Sequence, residues 1–267
     1  MTTTPRPQHS LRIHGYKQRP YYIHAPDYRR TSTGIAVLHL LCHALNISGR
    51  EAYVSTQAIN PKLHTPSLTP EIKQRHSEAG REPIVIYPEV TQGNPLHGKT
   101  VIRYILNHPG LLGGPKKFPE KDFILAFTGR LLETSGANDL LFLPPTDTSV
   151  FNNQNNPLDQ ARSGILLYPG RHQKGLEERP EIASKATLIT SSWPSSHQEL
   201  AALFRKSECL YAFEPSNVAL EAALCGCPTI LLESPLYDGT PLATEEIGTW
   251  GIACNESPEQ IAHAYAT

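Results

Sequence analysis

The stretch that decides the fold reads YAFEPSNVALEAALCGCPTILL and covers residues 211–232. It begins with the end of an apolar, β-forming segment, passes through a Glu-Pro turn and continues as a helical pattern over residues 218–224. Gly226 follows at the position where a glycine commonly ends a helix, and residues 229–232 are a second β-forming run. A strand, a helix and a second strand in this order are typical of a parallel α/β sheet.

The segments around this stretch continue the same alternation. Ser-Ser-His-Gln at residues 195–198 fits a capping box at the start of an amphipathic helix. Ser257 followed by Pro258 predicts the start of a short final helix. Three further apolar runs predict strands, at residues 165–168, 187–190 and 209–212. The second half of the chain is therefore predicted to form a Rossmann-like sheet.

The first half shows a strand–helix–strand unit of the same kind. Residues 21–25 predict a strand, and a loop containing Gly34 leads into apolar residues at helical spacing from Ile35 to Leu45. Residues 56–82 are polar and rich in proline, which predicts a long surface excursion. The remaining patterns predict strands at residues 52–55, 83–87, 122–128 and 139–143, and a helix over residues 99–106.

Residues 144–163 are rich in Pro, Asn, Asp and Gln, which is typical of a connection between domains. We therefore expect a disordered tail over residues 1–19, an N-terminal Rossmann-like domain over residues 20–155 and a C-terminal one over residues 156–267. The predicted fold class is α/β, with two Rossmann-like domains that face a cleft and a short N-terminal half.

Composition and charge exclude several classes of function. The 267 residues include 24 Lys and Arg and 25 Asp and Glu, so no global positive field predicts a nucleic-acid partner. No run of about 18 or more apolar residues predicts a transmembrane helix, and the polar start lacks the apolar core of a secretory signal, so we expect a cytoplasmic protein. Residues 1–19 contain basic but no acidic residues, which favours either a plain disordered tail or peripheral attraction to an anionic membrane face.

The five cysteines do not predict a disulfide framework, because their number is odd and only Cys225 and Cys227 are close in sequence. No Cys or His pair at zinc spacing follows them, so we interpret both as small residues packed at a helix-to-strand turn. No carboxylate motif for a metal stands out either. We therefore expect neither a metal nor an organic cofactor.

Three polar residues of the central stretch predict a site for a phosphorylated ligand. A helix that begins near Ser216 or Asn217 presents N–H groups and a partial positive charge, which can hold a phosphate. Asn217 and Glu221 are four residues apart and share a helix face, and the Glu221 carboxylate can accept hydrogen bonds from ribose hydroxyls. The alternative is an ordinary N-cap at Ser216 and an exposed helix residue at Glu221.

The same stretch resembles the donor-site signature of glycosyltransferases with two Rossmann-like domains, the GT-B architecture, and is most similar to the retaining, glycogen-synthase-like branch (glycosyl transferases group 1). The residues that carry the resemblance are Glu214, Ser216, Asn217, Leu220, Glu221, Ala222, Cys225, Gly226 and Pro228. The resemblance implies that Glu214 is a catalytic residue near the donor sugar or its phosphates and that Glu221 binds the ribose. Six residues separate these two glutamates, one fewer than in the family.

Two further loops resemble family features. The segment YPGRHQKG at residues 168–175 resembles the loop that brings an Arg and a Lys onto the donor diphosphate, which implies that role for Arg171 and Lys174; a solvated basic turn is the alternative. The loop around Gly34 resembles the glycine-bearing loop that faces the cleft near the phosphates and the acceptor. Trp193 lies in a region that approaches the nucleobase in relatives, so it either stacks on the base or belongs to the core.

Two first-half segments are candidates for the acceptor side of the cleft: Tyr-Pro-Glu at residues 87–89 and Asn-His-Pro-Gly at residues 107–110. His108 is the histidine that we would test as a catalytic acid/base or sugar-orienting group. Its alternative is a histidine that satisfies a turn.

The resemblance implies a metal-independent hexosyltransferase that moves a sugar from a nucleoside-diphosphate sugar to a saccharide or lipid-linked saccharide, with retention of anomeric configuration, in cell-surface polysaccharide synthesis. Two alternatives stay open. One is a GT-B-type sugar-nucleotide epimerase, which would need acid/base carboxylates and histidines in the cleft. The other is a non-catalytic sugar-nucleotide or glycan-binding partner of a larger assembly, which the short chain and the altered glutamate spacing favour.

Overall fold

Parallel strands form the sheet of the first half in the computed structural model, which describes residues 18–29, 31–154, 156, 161–237, 239–241 and 243–267. The elements of this half are β1 (Tyr21–Ile23), α1 (Thr33–Ile47), β2 (Ala52–Val54), α2 (Pro70–Glu78), β3 (Ile84–Pro88), β4 (Thr100–Ile105), β5 (Phe123–Ala126), α3 (Gly129–Ser135) and β6 (Asp139–Leu140). The strand order is β2-β1-β3-β4-β5-β6, so β3 and β4 lie at the centre of the sheet.

The second half forms a separate parallel sheet with the order β11-β10-β9-β7-β8. Its elements are β7 (Ile165–Tyr168), α4 (Gly175–Glu178), α5 (Pro180–Ala183), β8 (Thr187–Leu188), α6 (His197–Lys206), β9 (Cys209–Ala212), α7 (Asn217–Leu224), β10 (Thr229–Leu231), α8 (Thr244–Ile247), β11 (Ile252–Ala253) and α9 (Pro258–Ala266). The strands β7 and β9 are neighbours, so the loops that follow them leave the sheet side by side.

Each sheet has a core of its own because helices cover its apolar strands. In a parallel sheet the strands are buried on both faces and read as nearly continuous apolar runs, as in β2 and β10, where all three residues are buried. Helix α1 packs Leu38 and Leu41 into the first core, and α7 packs Ala219 and Ala222 into the second. Full burial of a leucine side chain contributes about 1.5–3 kcal/mol, so these faces fix both helices on their sheets.

The predicted α/β fold, with two Rossmann-like domains facing a cleft, is confirmed. Phe151, which lies just before the predicted domain boundary, packs in the core of the second sheet. Hydrogen bonds join the halves: the Gly129 N–H donates to Glu246 Oε1 at 2.6 Å, the Arg130 guanidinium donates to the Thr240 carbonyl at 2.5 Å, and the Thr146 hydroxyl donates to Asn217 Oδ1 at 2.7 Å. The boundary at residues 155 and 156 stays a prediction.

The predicted helix over residues 99–106 is wrong, because this segment is the central strand β4. Its β-branched and aromatic residues favour a strand, and burial on both faces removes the alternation that would have revealed one. Arg103 is buried within it. Its guanidinium forms an ion pair with Asp122 at 2.8 Å and donates to the carbonyls of Thr91 and Gly93 at 3.0 and 2.6 Å, which compensates the burial of the charge.

Two local predictions are corrected in detail. The polar segment 56–82, predicted as a surface excursion, contains helix α2, whose start is capped by the Thr69 side chain. The capping box of α6 is shifted by one residue from the predicted residues 195–198. Ser196 is the N-cap, its hydroxyl accepts the Glu199 N–H at 3.2 Å, and the Glu199 carboxylate accepts the Ser196 N–H at 3.2 Å.

Cys225 and Cys227 are both fully buried against the second sheet, as the packing interpretation predicts. Burial raises the pKa of the Cys225 thiol to about 11, so it stays protonated at neutral pH. Across the described ranges no three His, Cys, Asp or Glu side chains are grouped as metal ligands. The expectation of metal independence stays a prediction.

The predicted tail falls largely outside the described residues, which begin at Gln18. Arg19 at its end donates hydrogen bonds to the carbonyls of Glu82 and Pro83 at 2.9 and 3.1 Å, so this residue is tied to the first sheet. In the part of the chain that the structure describes, every helix is too short or too polar to cross a bilayer.

Candidate functional site

A cleft of about 510 Å³ lies between the two sheets, where segments that follow the strands of both halves meet. Ligands of parallel α/β sheets bind outside the carboxyl ends of the strands, and this volume is typical of small-molecule sites. The polar and charged lining comes from both halves and includes Arg29, Ser32, Thr33, Glu89, Asn107, Arg171, Ser191, Glu214, Ser216 and Asn217.

The start of helix α1 forms part of the first-half wall. Thr33 and Gly34 line the cleft, and the N-cap Ser32 makes no side-chain capping bond, although its carbonyl accepts the Ala36 N–H at 2.9 Å. The partial positive charge of the helix start therefore faces the cleft. A Cβ at Gly34 would meet Leu106 Cδ1 at an ordinary 3.6 Å, so packing does not require glycine there.

Arg171 and Glu214 form one unit on the second-half wall. They follow the neighbouring strands β7 and β9, so their loops meet. The buried Glu214 carboxylate accepts the Arg171 backbone N–H at 3.1 Å and forms an ion pair with the Arg171 guanidinium. Gly170 has a φ of +56°, and a Cβ there would collide with the Glu214 carboxylate, so conformation and space both require glycine. Arg171, which is predicted to bind the diphosphate, and Glu214, which is predicted to be catalytic, are thus in direct contact.

Helix α7 begins with Ser216 as its N-cap. The Ser216 hydroxyl accepts the Val218 N–H at 3.3 Å, its carbonyl accepts the Ala219 N–H at 3.0 Å, and its own N–H donates to the Glu214 carbonyl at 2.8 Å. Three amides of this turn therefore bond inside the protein. None of the described residues accepts a hydrogen bond from the Asn217 N–H, so this is the amide of the turn that remains for a ligand.

Glu221 lies one turn into α7 and is buried, which excludes the alternative of an exposed helix residue. Its Oε1 accepts a hydrogen bond from Asn217 Nδ2 at 2.6 Å, and Asn217 Oδ1 accepts one from the Thr146 hydroxyl at 2.7 Å. Asn217 and Glu221 therefore share one helix face, as their spacing predicts. The chain of bonds fixes the orientation of the Glu221 carboxylate.

A recess beside the cleft brings Glu221 and Trp193 together. Tyr168, Ser191 and Asn217 line both the recess and the cleft, so the two spaces adjoin. The exposed fraction of Trp193 is 45%, and the alternative of a core tryptophan is therefore wrong. The recess offers an accessible aromatic ring for stacking and a carboxylate that can accept hydrogen bonds from hydroxyl groups.

Lys174 and His108 do not belong to the cleft lining. Lys174 is exposed at the start of the short helix α4. His108 borders a separate surface pocket together with residues 116–120, whereas Leu106 and Asn107 of the same loop line the cleft. Among the described residues, Arg29 and Arg171 are the basic side chains that line the cleft.

Glu89 belongs to the Tyr-Pro-Glu segment that was expected on the acceptor side, but no role of its own was predicted for this residue. It follows the central strand β3, lines the cleft and is only 3% exposed. Burial raises the pKa of its carboxyl, and hydrogen bonds from the Leu106 and Asn107 N–H groups and the charge of Arg171 oppose this rise. The Leu106 N–H donates to Oε2 at 3.0 Å. The sequence signal for Glu89 was its position as a carboxylate directly after a buried strand that ends at Pro88.

No protein-family model matches the chain, and no curated protein matches it in sequence. Among solved structures, the glycosyltransferase SnogD from Streptomyces nogalater is 12% identical, with a TM-score of 0.47 over 94% of both chains. Spinosyn rhamnosyltransferase SpnG complexed with thymidine diphosphate is 16% identical, with a TM-score of 0.40 over 93% of this chain and 91% of that one. A protein proposed to be a UDP-N-acetylglucosamine 2-epimerase, from Listeria monocytogenes, is 13% identical, with a TM-score of 0.44 over 92% and 86%. At these values neither the glycogen-synthase-like branch nor a substrate follows from the likeness.

Proposed function

We propose that the chain is a glycosyltransferase that uses a nucleoside-diphosphate sugar as its donor. The observation that carries this proposal is the recess beside the cleft, where the buried Glu221 carboxylate and the accessible Trp193 ring lie together next to Asn217. A nucleoside needs both kinds of contact, a flat ring against its base and an acceptor for its ribose hydroxyls.

Arg171 supplies positive charge for the diphosphate on the same wall. Its guanidinium is half-exposed and is oriented by Glu214, and the Asn217 N–H and the start of α1 add partial positive charge. In glycosyl transfer, negative charge develops on the departing diphosphate, where fixed positive groups stabilise the transition state. The role that we propose for Glu214 is to hold Arg171. Lys174 stays a prediction of the resemblance, since its exposed side chain lies outside the cleft lining.

The proposed acceptor is a hydroxyl of a saccharide or a lipid-linked saccharide in cell-surface polysaccharide synthesis, placed against the first-half wall. Retention of anomeric configuration, independence of metals and membership of the glycogen-synthase-like branch rest on the resemblance alone. Peripheral contact with an anionic membrane face stays a prediction as well, since it depends on the basic tail, most of which precedes the described residues.

A sugar-nucleotide epimerase is the second candidate function. Such an enzyme needs an acid/base carboxyl group in its cleft, and Glu89 is a buried carboxyl in that position. Incubation of the donor without any acceptor separates the candidates. A new sugar nucleotide would support the epimerase, whereas donor binding without turnover would support a non-catalytic binding partner.

Thermal unfolding with a panel of nucleoside diphosphates and their sugar conjugates tests the donor site. A ligand at about a hundred times its Kd stabilises a folded protein by about 2.7 kcal/mol. We expect one nucleobase to give this shift and Glu221→Ala to lose most of it. Glu177→Ala, which changes an exposed glutamate of α4 in the same half, should keep the full shift. A folded wild-type protein that responds to no nucleotide would contradict the proposal.

A further inference from the structure

We propose that Glu89 is the base that takes the proton of the acceptor hydroxyl, an assignment that rests on the proposed transferase function. Glu89 directly follows the central strand β3, and it lines the cleft on the wall opposite Arg171 and Glu214. The donor recess takes most of its lining, including Trp193 and Glu221, from the second half, and Thr31, Thr33 and Ala36 close it from the first. An acceptor that reaches C1 of the donor sugar from the first-half wall therefore passes the Glu89 carboxylate.

The surroundings of Glu89 suit a carboxylate that accepts a proton, because they fix its position and, among the described residues, do not pair it with a cation. Its carboxylate is fixed by the Leu106 N–H at 3.0 Å and forms no ion pair with any described residue. Glu214, the other carboxylate that lines the cleft, differs from it because Glu214 is paired with Arg171, and Glu221 lies in the adjoining recess. A carboxylate without a cationic partner in a buried position is a stronger proton acceptor than a paired one.

The charged groups that face Glu89 come from both halves. Arg171 acts on it from the second-half wall and is itself paired with Glu214. Arg29, which precedes α1, lines the same cleft, and His24, which follows β1, packs its ring against Tyr87 at 5.8 Å. Burial outweighs these influences and raises the pKa of the Glu89 carboxyl. Activity should therefore fall on acidification at a pH above the ordinary glutamate pKa of about 4.3.

The step balances without a further reactant. The acceptor oxygen forms its bond to C1 of the donor sugar while the bond from C1 to the diphosphate oxygen breaks. The electron pair of that bond leaves with the diphosphate, whose charge faces Arg171. The hydroxyl proton passes to a Glu89 oxygen and is released to solvent after the products leave. Direct displacement inverts the anomeric configuration, which contrasts with the retention that the resemblance implies.

The experiment compares wild type, Glu89→Gln and Glu89→Asp, with Glu82→Gln as the matched control. Glu82 is an exposed glutamate just before β3, at the end of the strand remote from Glu89, and its carboxylate pairs only with the exposed Lys99 in the described chain. Glutamine keeps an oxygen that can accept the Leu106 N–H, so the fold should survive. The donor is the UDP-, GDP- or dTDP-hexose that stabilises wild type, and the acceptors are water and methanol. Release of nucleoside diphosphate gives the rate, and the proton coupling of the methyl glycoside gives the anomeric configuration.

We expect Glu89→Gln to bind the donor within about twofold of wild type and to lose about 100-fold or more of the rate. It should also lack the acidic limb of the pH profile, which Glu89→Asp should keep at a reduced rate and Glu82→Gln should leave unchanged. A rate within threefold of wild type in Glu89→Gln, or a methyl glycoside with retained configuration, overturns the assignment and leaves donor binding intact. Donor binding by wild type with neither hydrolysis nor methanolysis also overturns it, whereas an absence of donor binding overturns the proposed function itself.

Discussion

The carboxylates on the two walls of the cleft are all buried but differ in their partners. On the second-half wall, Glu214 is paired with Arg171, and Glu221 is hydrogen-bonded to Asn217. On the first-half wall, Glu89 is buried with no charged partner in hydrogen-bonding contact among the described residues. Partnered groups keep a fixed geometry and suit recognition, whereas a buried carboxyl without a cation costs stability and suits chemistry. This difference supports the proposal that donor binding belongs to one wall and proton transfer to the other.

The largest expected effect on stability concerns the buried ion pair of Arg103 and Asp122, which holds the segment that follows Glu89 on the first-half wall. Arg103 donates to the carbonyls of Thr91 and Gly93, in the segment that follows Glu89, and its charge is compensated by Asp122. Asp122→Ala leaves the arginine charged and buried, so we expect a loss of about 3–5 kcal/mol in the free energy of unfolding, measured with urea.

The exposed ion pair between Lys99 and Glu82 is the control for this prediction. These two residues lie just before the first residues of β4 and β3. Glu82→Ala should change the free energy of unfolding by no more than about 1 kcal/mol, because exposed pairs contribute little. Similar losses in the two variants would show that the first-half wall does not depend on a buried charge pair.

A smaller effect is expected at the turn that positions Arg171 on the second-half wall. Gly170 has a φ of +56° and touches the Glu214 carboxylate, whereas Gly164 has a φ of +77° with open space around its Cα. Gly164→Ala should lower the free energy of unfolding by about 1–2 kcal/mol, because only the left-handed backbone conformation disfavours alanine there. Gly170→Ala must also displace Glu214, so we expect about 2–4 kcal/mol in urea unfolding and roughly tenfold weaker nucleotide binding. Equal costs in the two variants would show that Glu214 is free to move and that this wall is not rigid.

The second-half wall could be predicted from sequence because its signals are local. The N-cap at Ser216, the spacing of Asn217 and Glu221 and the glycine at position 226 all lie within a single helix and its ends. Each follows from the geometry of an α-helix without knowledge of distant residues. What the sequence did not show is that Trp193 shares a recess with Glu221, since this depends on packing between separate loops.

The first-half wall was harder to predict because its decisive contacts are distant in sequence. The strand β4 was predicted to be a helix, because a strand that is buried on both faces shows no alternation of polar and apolar residues. The burial of Glu89 depends on the register of β3 beside β4, in which Pro88 pairs with Tyr104. Nothing in the sequence next to Glu89 encodes that register.

The smallest expected effect is a change with pH in the free energy of unfolding, and it tests the role of Glu89 without a rate measurement. Burial raises the pKa of Glu89 in the folded chain, so the folded chain binds this proton more tightly than the unfolded chain does. The contribution of Glu89 to stability is therefore fully present below the ordinary glutamate pKa of about 4.3 and is lost as the pH rises through the raised value. Because Glu89→Gln does not titrate, its free energy of unfolding relative to wild type should increase over that interval and then stay constant.

Urea unfolding at a series of pH values between about 4 and 8 measures this difference. Glu82→Gln, which changes an exposed carboxylate, should show no comparable increase. If Glu89→Gln instead lost stability relative to wild type as the pH rose, the folded protein would favour the charged carboxylate. Glu89 would then resemble the ion-paired carboxylate of Glu214, and the division of the cleft into a binding wall and a proton-transfer wall would have no basis.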